Sequence, residues 1–290
     1  MIRARCEILS SKKAGGYHAI TLVAPDIAER ARPGQFIEVA MPAERRFFLR
    51  RPFWIHQVSR RGGWAGTLEF HFDPSGPGTS WLAEVGPHRF LDVIGPLGHG
   101  FAYPKDLTSC LLVAGGYGAA PLYFLAEELK ARGKRVDMVV GAADQDRVFK
   151  PIEGKRLSQT ITITTEDGSL GVRGRAGDAV PEMLERCRTE VVYAAGPRDL
   201  LRDVAEICAD RELPAMVAVE EAMACGLGLC LSCVVPLSRP DGRGFDNVRA
   251  CVEGPALNPA RILWDRWQPE EPRMIPTPPE GFPAVREWPG

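Results

Sequence analysis

The pattern of apolar residues changes character near Asp106, and this change constrains the fold more than any other feature of the chain. Before it, short runs alternate apolar with polar residues: FIEVAM (36–41), TLEFHF (67–72) and FLDVIG (90–95). Gly and Pro clusters such as RPGQ and PSGPG separate them. Successive side chains of a strand point to opposite faces, so each run can bury one face. Several such runs at short spacing predict a small antiparallel barrel or sandwich over 1–103. After Asp106, apolar strands alternate with helical stretches. LTSCLLVAGG (107–116), VDMVVGAA (136–143), TITITTEDGS (160–169), TEVVYAAGP (189–197) and PAMVAVEE (214–221) read as strands. PLYFLAEELKARGK (121–134), DAVPEMLERC (178–187) and PRDLLRDVAEICADREL (197–213) carry helical periodicity. Strand and helix in alternation predict a parallel, doubly wound sheet over 104–221.

Two further segments follow. Residues 222–267 hold CGLGLCLSC (225–233), with another cysteine at 251; residues 268–290 carry seven prolines in 23 positions. That tail is expected to lack regular structure unless it docks on a partner. A length of 290 residues suits two domains with a small appendage, and 45% hydrophobic residues can fill their cores. The net charge of −1 gives no reason to expect nucleic-acid binding or attraction to an anionic membrane. No apolar run approaches the roughly 20 residues that cross a bilayer. The start, MIRARCEILS, alternates like a strand and lacks the layout of a signal peptide. A cytoplasmic protein is expected, with its eight cysteines reduced. A tight cysteine group is then better suited to a metal or cluster than to disulfides.

Glycine-rich loops mark the candidate binding sites. VAGGYGAAP (113–121) follows a strand and opens a helix. Glycines there let the backbone approach a phosphate, and the helix start offers N–H groups and a positive dipole. The match to G-x-G-x-x-G is imperfect, so a plain tight turn stays open as a reading. The other strands end in GAADQD, TEDGSLG and AAGPRD, which a parallel sheet would place on the same edge. Asp144, Asp146, Glu166 and Asp167 lie there. Carboxylates accept from ribose hydroxyls and repel a 2′-phosphate, which favours NAD over NADP; Arg147 nearby argues the other way, and each acid taken singly also reads as an ordinary loop residue. In the first half, RRPFWIHQ (50–57) puts Arg50 and Arg51 beside a strand, and DPSGPGTSWL (73–82) puts glycines and hydroxyls before a short helical stretch. Such a turn can hold a diphosphate, with an arginine to match its oxygens. Surface charges and an ordinary turn are the bland alternative.

Taken in order, these motifs resemble the ferredoxin–NADP-reductase-like superfamily, and within it the family of dihydroorotate dehydrogenase electron-transfer subunits. The likeness runs from about residue 3 to 265 through RPFWI, GPGTSWL, IGPLGHGF (94–101), VAGGYGAAPL, TTEDGSLGVRG (164–174), AAGPRDLL, EEAMACGLGLC-LSC and ACVEGPAL (250–257). It implies FAD in the N-terminal barrel, NAD(H) in the Rossmann-like domain and a [2Fe-2S] cluster on the cysteine segment. Arg51, Pro52, Phe53 and Trp54 would lie along the flavin, and Gly76, Gly78, Thr79 and Ser80 would hold its phosphates. Gly115, Gly116, Gly118 and Pro121 would face the nicotinamide nucleotide, with Asp167, Gly196 and Pro197 at the neighbouring strand ends. Cys225, Cys230, Cys233 and Cys251 would ligate iron. The implied partner is a catalytic subunit carrying FMN, in a heterotetramer that converts dihydroorotate and NAD⁺ to orotate and NADH for pyrimidine biosynthesis. Two positions depart from the family: Trp54 stands where a small hydroxyl residue is usual, and Ala195 where a cysteine precedes Gly-Pro.

The cysteine spacing is C-x4-C-x2-C-x17-C. Its first half is the plant-type [2Fe-2S] pattern. Gly226 and Gly228 allow the chain to wrap a cluster and bare N–H groups for its sulfurs. Zinc is the second reading, although structural zinc more often pairs two C-x2-C turns. Cys6, Cys110, Cys187 and Cys208 stand singly in predicted strands or helices and read as small core residues. The five histidines show no ligand spacing; His56 is placed to reach a flavin. The expected activity is NAD-linked electron transfer, in which a flavin joins a two-electron donor to a one-electron cluster. Small subunits of sulfide dehydrogenase or of bifurcating ferredoxin–NADP reductase are the alternative inside the superfamily. A zinc-stapled module that senses nucleotide is the alternative outside it.

Overall fold

The computed structural model describes residues 1–41 and 48–267, so the proline-rich segment lies outside the described residues. Six strands close into an antiparallel barrel: β1 (Ile2–Ala14), β2 (Tyr17–Val23), β3 (Phe36–Val39), β4 (Arg51–Ser59), β5 (Thr67–Phe72) and β6 (Phe90–Leu97), in the order β1-β2-β5-β4-β3-β6. Closure leaves no unpaired edge. Ile8, Ile20, Leu22, Ile37, Val39, Ile55, Leu68, Phe70 and Val93 fill its interior. Two short helices, α1 (Pro25–Arg30) and α2 (Pro77–Glu84), interrupt the strands. Helix α2 is the stretch foreseen at SWLAEV.

The second lobe is a seven-stranded sheet. Its strands are β7 (Ser109–Gly115), β8 (Arg135–Ala142), β9 (Thr160–Thr165), β10 (Val172–Arg173), β11 (Val191–Ala195), β12 (Ala215–Ala218) and β15 (Ala256–Leu257). They run in the order β10-β9-β8-β7-β11-β12-β15. All pair in parallel except β15, which is antiparallel to β12. Helices α3 (Ala119–Ala131), α4 (Pro151–Leu157), α5 (Ala176–Arg186) and α6 (Arg198–Asp210) make the crossovers. Strands β7 and β11 are almost wholly apolar because helices cover both faces. Helix α6 buries Leu200, Leu201, Val204, Ala205 and Cys208, one stripe at helical spacing.

Helix α3 differs. Ala119 to Ala126 and Leu129 are all buried, since the helix packs on the sheet and on barrel strand β4 together. An all-round apolar helix belongs in a core, and here it is the joint between the lobes. The same joint covers part of the outward face of β5, so His71 is buried although it points away from the barrel interior. The Tyr123 hydroxyl donates to the Phe149 carbonyl at 2.8 Å, and the Tyr193 hydroxyl to the Ala102 carbonyl at 3.0 Å. Both bonds fix loops that run along the joint.

The cysteine segment adds a hairpin, β13 (Val234–Ser238) with β14 (Phe245–Arg249), before returning to the sheet as β15. The sequence pattern gave no warning of β13–β15 or of the seven-residue α4. This segment touches both lobes. His99 N–H donates to the Gly254 carbonyl at 2.6 Å, and Val219 N–H to the Pro255 carbonyl at 2.9 Å. Gly98 has φ +71°, and a Cβ there would lie 2.6 Å from Pro255. Only glycine satisfies both constraints.

Candidate functional site

Three sites meet where the lobes and the cysteine segment join. The first is a cavity of about 220 Å³. Strand β4 lays Arg51, Pro52, Phe53 and Trp54 along one wall; Phe36, His71, Phe72 and Asp73 continue it. Ser75 and Thr79 close one end, and Tyr117, Val219, Glu220, Glu221 and Met223 face them from the second lobe. Such a flat aromatic space with a few polar groups suits a planar ring system. At the hydroxyl end, Thr79 Oγ1 accepts from Gly76 N–H and donates to the Gly76 carbonyl, both at 3.1 Å. A Cβ on Gly78 would lie 3.7 Å from Arg51 Nε, so the arginine rests against the glycine turn. Arg50 is tied to Asp92 at 2.8 Å, whereas Arg51 donates to the Leu49 and Arg50 carbonyls. A guanidinium held, among the described residues, by carbonyls beside a glycine turn and a helix start suits a diphosphate.

The second site is a crevice of about 550 Å³ at the carboxyl ends of the parallel strands. It sits between β7 and β11, where the strand order reverses, the place where open α/β sheets bind ligands. Gly115, Gly116, Gly118, Gly196 and Pro197 form its floor. The two glycine loops pack backbone to backbone: a Cβ on Gly118 would lie 2.7 Å from Gly196 Cα. Asp73, Asp144, Glu166, Asp199, Asp203 and Glu220 line it against Arg147 and Arg175 alone. Both arginines are already paired, Arg147 with Asp73 and Arg175 with Asp203 at 3.2 Å.

Asp73, Tyr117 and Glu220 belong to both linings. The Tyr117 hydroxyl donates to Glu220 Oε1 at 2.6 Å. Crowding by protein pushes the Glu220 carboxyl up, and the Tyr117 hydrogen bond partly offsets this.

The third site is the cysteine cradle. Cys233 stands just before β13 and Cys251 just after β14, and Ala250 N–H donates to the Cys233 carbonyl at 2.7 Å. The hairpin thus explains the seventeen-residue gap. Gly226 and Gly228 have φ +63° and +81°. A Cβ on Gly228 would meet Val252 at 2.5 Å, and one on Gly226 would run into the Glu38 carboxyl. Leu227 N–H donates to Cys225 Sγ at 3.4 Å, and the Gly228 amide faces Cys251. Hydrogen bonding with Ser232 and then with Cys225 brings the Cys230 thiol down to about 6, while burial and then Cys233 push Cys251 up to about 12. Four thiols brought together in one loop and hairpin, with backbone N–H groups aimed at the sulfurs, suit a cluster.

Residues 220–262, which hold all four cysteines, match the family model described as the iron-sulfur cluster binding domain of dihydroorotate dehydrogenase B. The chain is 36% identical over 242 residues to the dihydroorotate dehydrogenase B (NAD(+)) electron transfer subunit of Desulforamulus reducens, covering 83% of this chain and 90% of that one. It is 33% identical over 266 residues to the subunit of the same name from Geobacillus thermodenitrificans, covering 90% and 98%. The chain belongs to the dihydroorotate dehydrogenase B electron transfer subunit family. Among solved structures, the NADH-dependent reduced ferredoxin–NADP oxidoreductase superposes with a TM-score of 0.78 at 27% identity over 91% of both chains. A ferredoxin NADP⁺ reductase from Neisseria gonorrhoeae shares the fold, with a TM-score of 0.57 at 17% identity over 72% of this chain and 91% of that one.

Within this family member, the structure sorts the residues singled out from sequence. Arg51, Pro52, Phe53, Trp54 and Thr79 line the first cavity; Gly115, Gly116, Gly118, Gly196 and Pro197 line the crevice. Gly76, Gly78 and Ser80 shape the turn beneath the first cavity without lining it. Pro121 is buried inside α3, outside the crevice lining. Asp167 turns back on its own loop, accepting from Ser169 N–H at 2.9 Å and Oγ at 2.6 Å, so Glu166 is the acid facing the crevice. Asp144 caps its own turn through Asp146 and Arg147 N–H while still lining the crevice. His56 does not reach the cavity: it is buried against the Ala120 carbonyl, Lys150 and Glu153, and His71 lines the wall instead. Ala195 is buried in β11, outside both linings. Cys6, Cys110, Cys187 and Cys208 are buried core thiols. Sequence reasoning missed Tyr117, Glu220 and Met223, although Tyr117 lies inside the glycine motif and the other two inside EEAMACG.

Proposed function

We propose that this protein is the electron-transfer subunit of an NAD-linked dihydroorotate dehydrogenase. It passes electrons between the FMN of a catalytic subunit and NAD(H), through a [2Fe-2S] cluster and FAD, in pyrimidine biosynthesis. The net reaction of the assembly is dihydroorotate plus NAD⁺ to orotate plus NADH. The observation that carries this reading is the contact of all three sites. The first cavity and the crevice share Asp73, Tyr117 and Glu220, and Met223 of the first cavity lies two residues before Cys225. When bound, FAD supplies a centre that takes two electrons from a nicotinamide and releases them singly to a one-electron carrier.

The protein's own residues bind, orient and shield. Residues 1–103 hold the flavin, with Phe53 and Trp54 along its ring and Arg51 with the 76–80 turn at its diphosphate. Residues 104–221 hold the nicotinamide nucleotide over Gly115–Gly118 and Gly196. Residues 222–267 hold the cluster on Cys225, Cys230, Cys233 and Cys251. The acids of the crevice accept from ribose hydroxyls and disfavour a 2′-phosphate, which selects NAD over NADP. Phe53, Trp54 and the barrel wall keep the ring fixed while Tyr117 and Glu220 set where the second ring stops. The assembly is a heterotetramer, and the protein works in the cytoplasm. Eight free cysteines support a reducing compartment, and no helix among the described residues is long and apolar enough to cross a membrane.

The test is anaerobic purification with iron, sulfide and flavin analysis, followed by identification of the co-purifying chain. Two irons and one FAD per chain, and a co-purifying FMN enzyme that oxidises dihydroorotate, are expected. Zinc in place of iron, or no flavin, would sink the reading. The 27% identity to the NADH-dependent ferredoxin–NADP oxidoreductase favours one second reading, a small subunit of a bifurcating complex. A large iron–sulfur flavoprotein as the co-purifying chain would decide for it.

A further inference from the structure

The loop after β8 carries two groups of opposite meaning for a nucleotide. In a doubly wound lobe, the loop after the second strand meets the ribose next to the adenine. A carboxylate there accepts from the 2′-hydroxyl, and an arginine nearby accommodates a 2′-phosphate. Asp144 and Arg147 stand three residues apart on this loop, and both line the crevice. The charges of the loop alone therefore do not choose between the two nicotinamide nucleotides.

The barrel reaches across and holds Arg147. Gly16, in the turn between β1 and β2, donates its N–H to the Asp146 carbonyl at 2.9 Å, and the Tyr17 hydroxyl donates to the Arg147 carbonyl at 2.9 Å. A Cβ on Gly16 would lie 2.7 Å from the Asp146 carbonyl oxygen, so the turn rests directly on the loop. Asp144 fixes the loop from within, accepting from the Asp146 and Arg147 N–H groups at 2.9 and 3.0 Å. The guanidinium then lies over the Tyr17 ring, 5.7 Å from its centroid, and Nη1 pairs with Asp73 at the end of β5. This pair is open to the crevice, with the Arg147 and Asp73 side chains 43% and 25% exposed. Arg175, the other arginine of the crevice, is bound by Asp203 at 3.2 Å and Asp199 at 3.4 Å.

We propose that Asp73 is a specificity-determining residue: by holding Arg147 on the barrel, it withholds the cation that a 2′-phosphate would need. This rests on the nucleotide reading of the crevice. A carboxylate beside a guanidinium cancels most of its attraction for a further anion. Released from Asp73, the planar fork of N–H donors suits a phosphate. A ribose 2′-hydroxyl loses nothing by the arrangement, because Glu166 faces the crevice and can accept from it. Asp73 acts through Arg147, so a barrel residue sets a choice made in the other lobe.

The experiment titrates the full chain with AMP and with adenosine 2′,5′-bisphosphate by calorimetry. The two ligands differ only in the 2′-phosphate, and neither carries a nicotinamide, so the reading does not depend on flavin reduction. A half-exposed ion pair adds little to stability, so Asp73→Asn is expected to fold. The bisphosphate-to-AMP affinity ratio is expected to rise about tenfold in Asp73→Asn. The gain is expected to vanish in the double variant Asp73→Asn/Arg147→Gln. An unchanged ratio in Asp73→Asn would overturn the proposal. A gain that survives the loss of Arg147 would overturn it too, since removal of one negative charge would then be the whole effect. Equal gains for both ligands would also overturn it, by assigning Arg147 to the phosphate they share. Arg147→Gln alone leaves the barrel untouched, and its ratio is expected within about threefold of the wild type. A tenfold fall there would show that Arg147 already serves the 2′-phosphate, against the proposal. Failure of the wild type to bind AMP or NADH would instead defeat the nucleotide reading.

Discussion

A buried carboxylate, Glu38, and an exposed one, Glu166, carry the most specific consequences at the scale of single residues. Glu38, on β3, is fully buried, and neither carboxylate oxygen has a hydrogen-bond partner among the described residues. Burial pushes it up to about 7, and Arg50 and Arg51 only partly offset this. Between its ordinary value near 4.5 and 7, the folded state holds a proton that the unfolded chain has released. Stability from this group therefore falls as pH rises through that window, by about 3 kcal/mol in total at roughly 1.4 kcal/mol per pH unit. Glu38→Gln removes the slope, so its Tm is expected to exceed that of the wild type increasingly from pH 5 to pH 8. Parallel Tm curves for the two proteins would contradict this. Glu166 faces the crevice and bears on nucleotide choice. Glu166→Ala is expected to raise the NADPH-to-NADH ratio of kcat/KM about tenfold, equivalent to about 1.4 kcal/mol of relieved repulsion. Ferricyanide reduction with each nucleotide measures it.

Among the elements, the β13–β14 hairpin and the glycine loop before it decide whether the cysteine cradle forms. Gly226 combines φ +63° with a Cβ position filled by the Glu38 side chain. Gly226→Ala therefore costs about 1 kcal/mol for the left-handed backbone, and the clash adds to this. The expected phenotype is lost iron with FAD retained, since the loop is displaced while the barrel keeps its interior. Adding Glu38→Ala opens the space and should return part of the iron. Iron and flavin assays on the two variants check this. The contrasting test is Cys225→Ser, which is expected to bleach the cluster and keep the FAD. NADH should then still reduce the flavin while electrons fail to reach the catalytic subunit.

For the whole molecule, the question is where electrons leave. Cys230 is exposed, and the flanking Leu229 and Leu231 are 82% and 61% exposed. Leu231 also adopts φ +58°, a strained choice for a branched side chain. Apolar side chains turned outward around an exposed thiol mark a docking surface more than a folding need. Leu229→Arg is expected to keep iron and FAD and to abolish co-elution with the catalytic subunit in size-exclusion chromatography. Unchanged co-elution would move the docking surface elsewhere.

The periodicity break near Asp106, the glycine turns and the cysteine spacing announced a barrel or sandwich, a doubly wound sheet and a metal or cluster segment, and the family resemblance narrowed these to a barrel and an iron–sulfur segment. Those signals are local: strand alternation, helix stripes and left-handed glycines act within a few residues of one another. The contacts that make the site were not legible. His71 and Glu69 read as ordinary members of an alternating strand, and only the packing of the second lobe on β5 buries His71 and brings Glu69 to Lys150, 81 positions away. Tyr117 and Glu220 lie 103 residues apart and meet because β7 and β12 end on the same edge of the sheet. Asp167 and His56 were chosen for their place in the chain, yet one caps its own turn and the other serves the joint between lobes. Sequence by itself determined the main strands and helices of both lobes and which cofactor classes their loops can hold, while β13–β15 and α4 emerged only in the fold. Tertiary structure decided which side chains share a cavity, because burial and long-range pairing depend on how whole elements pack.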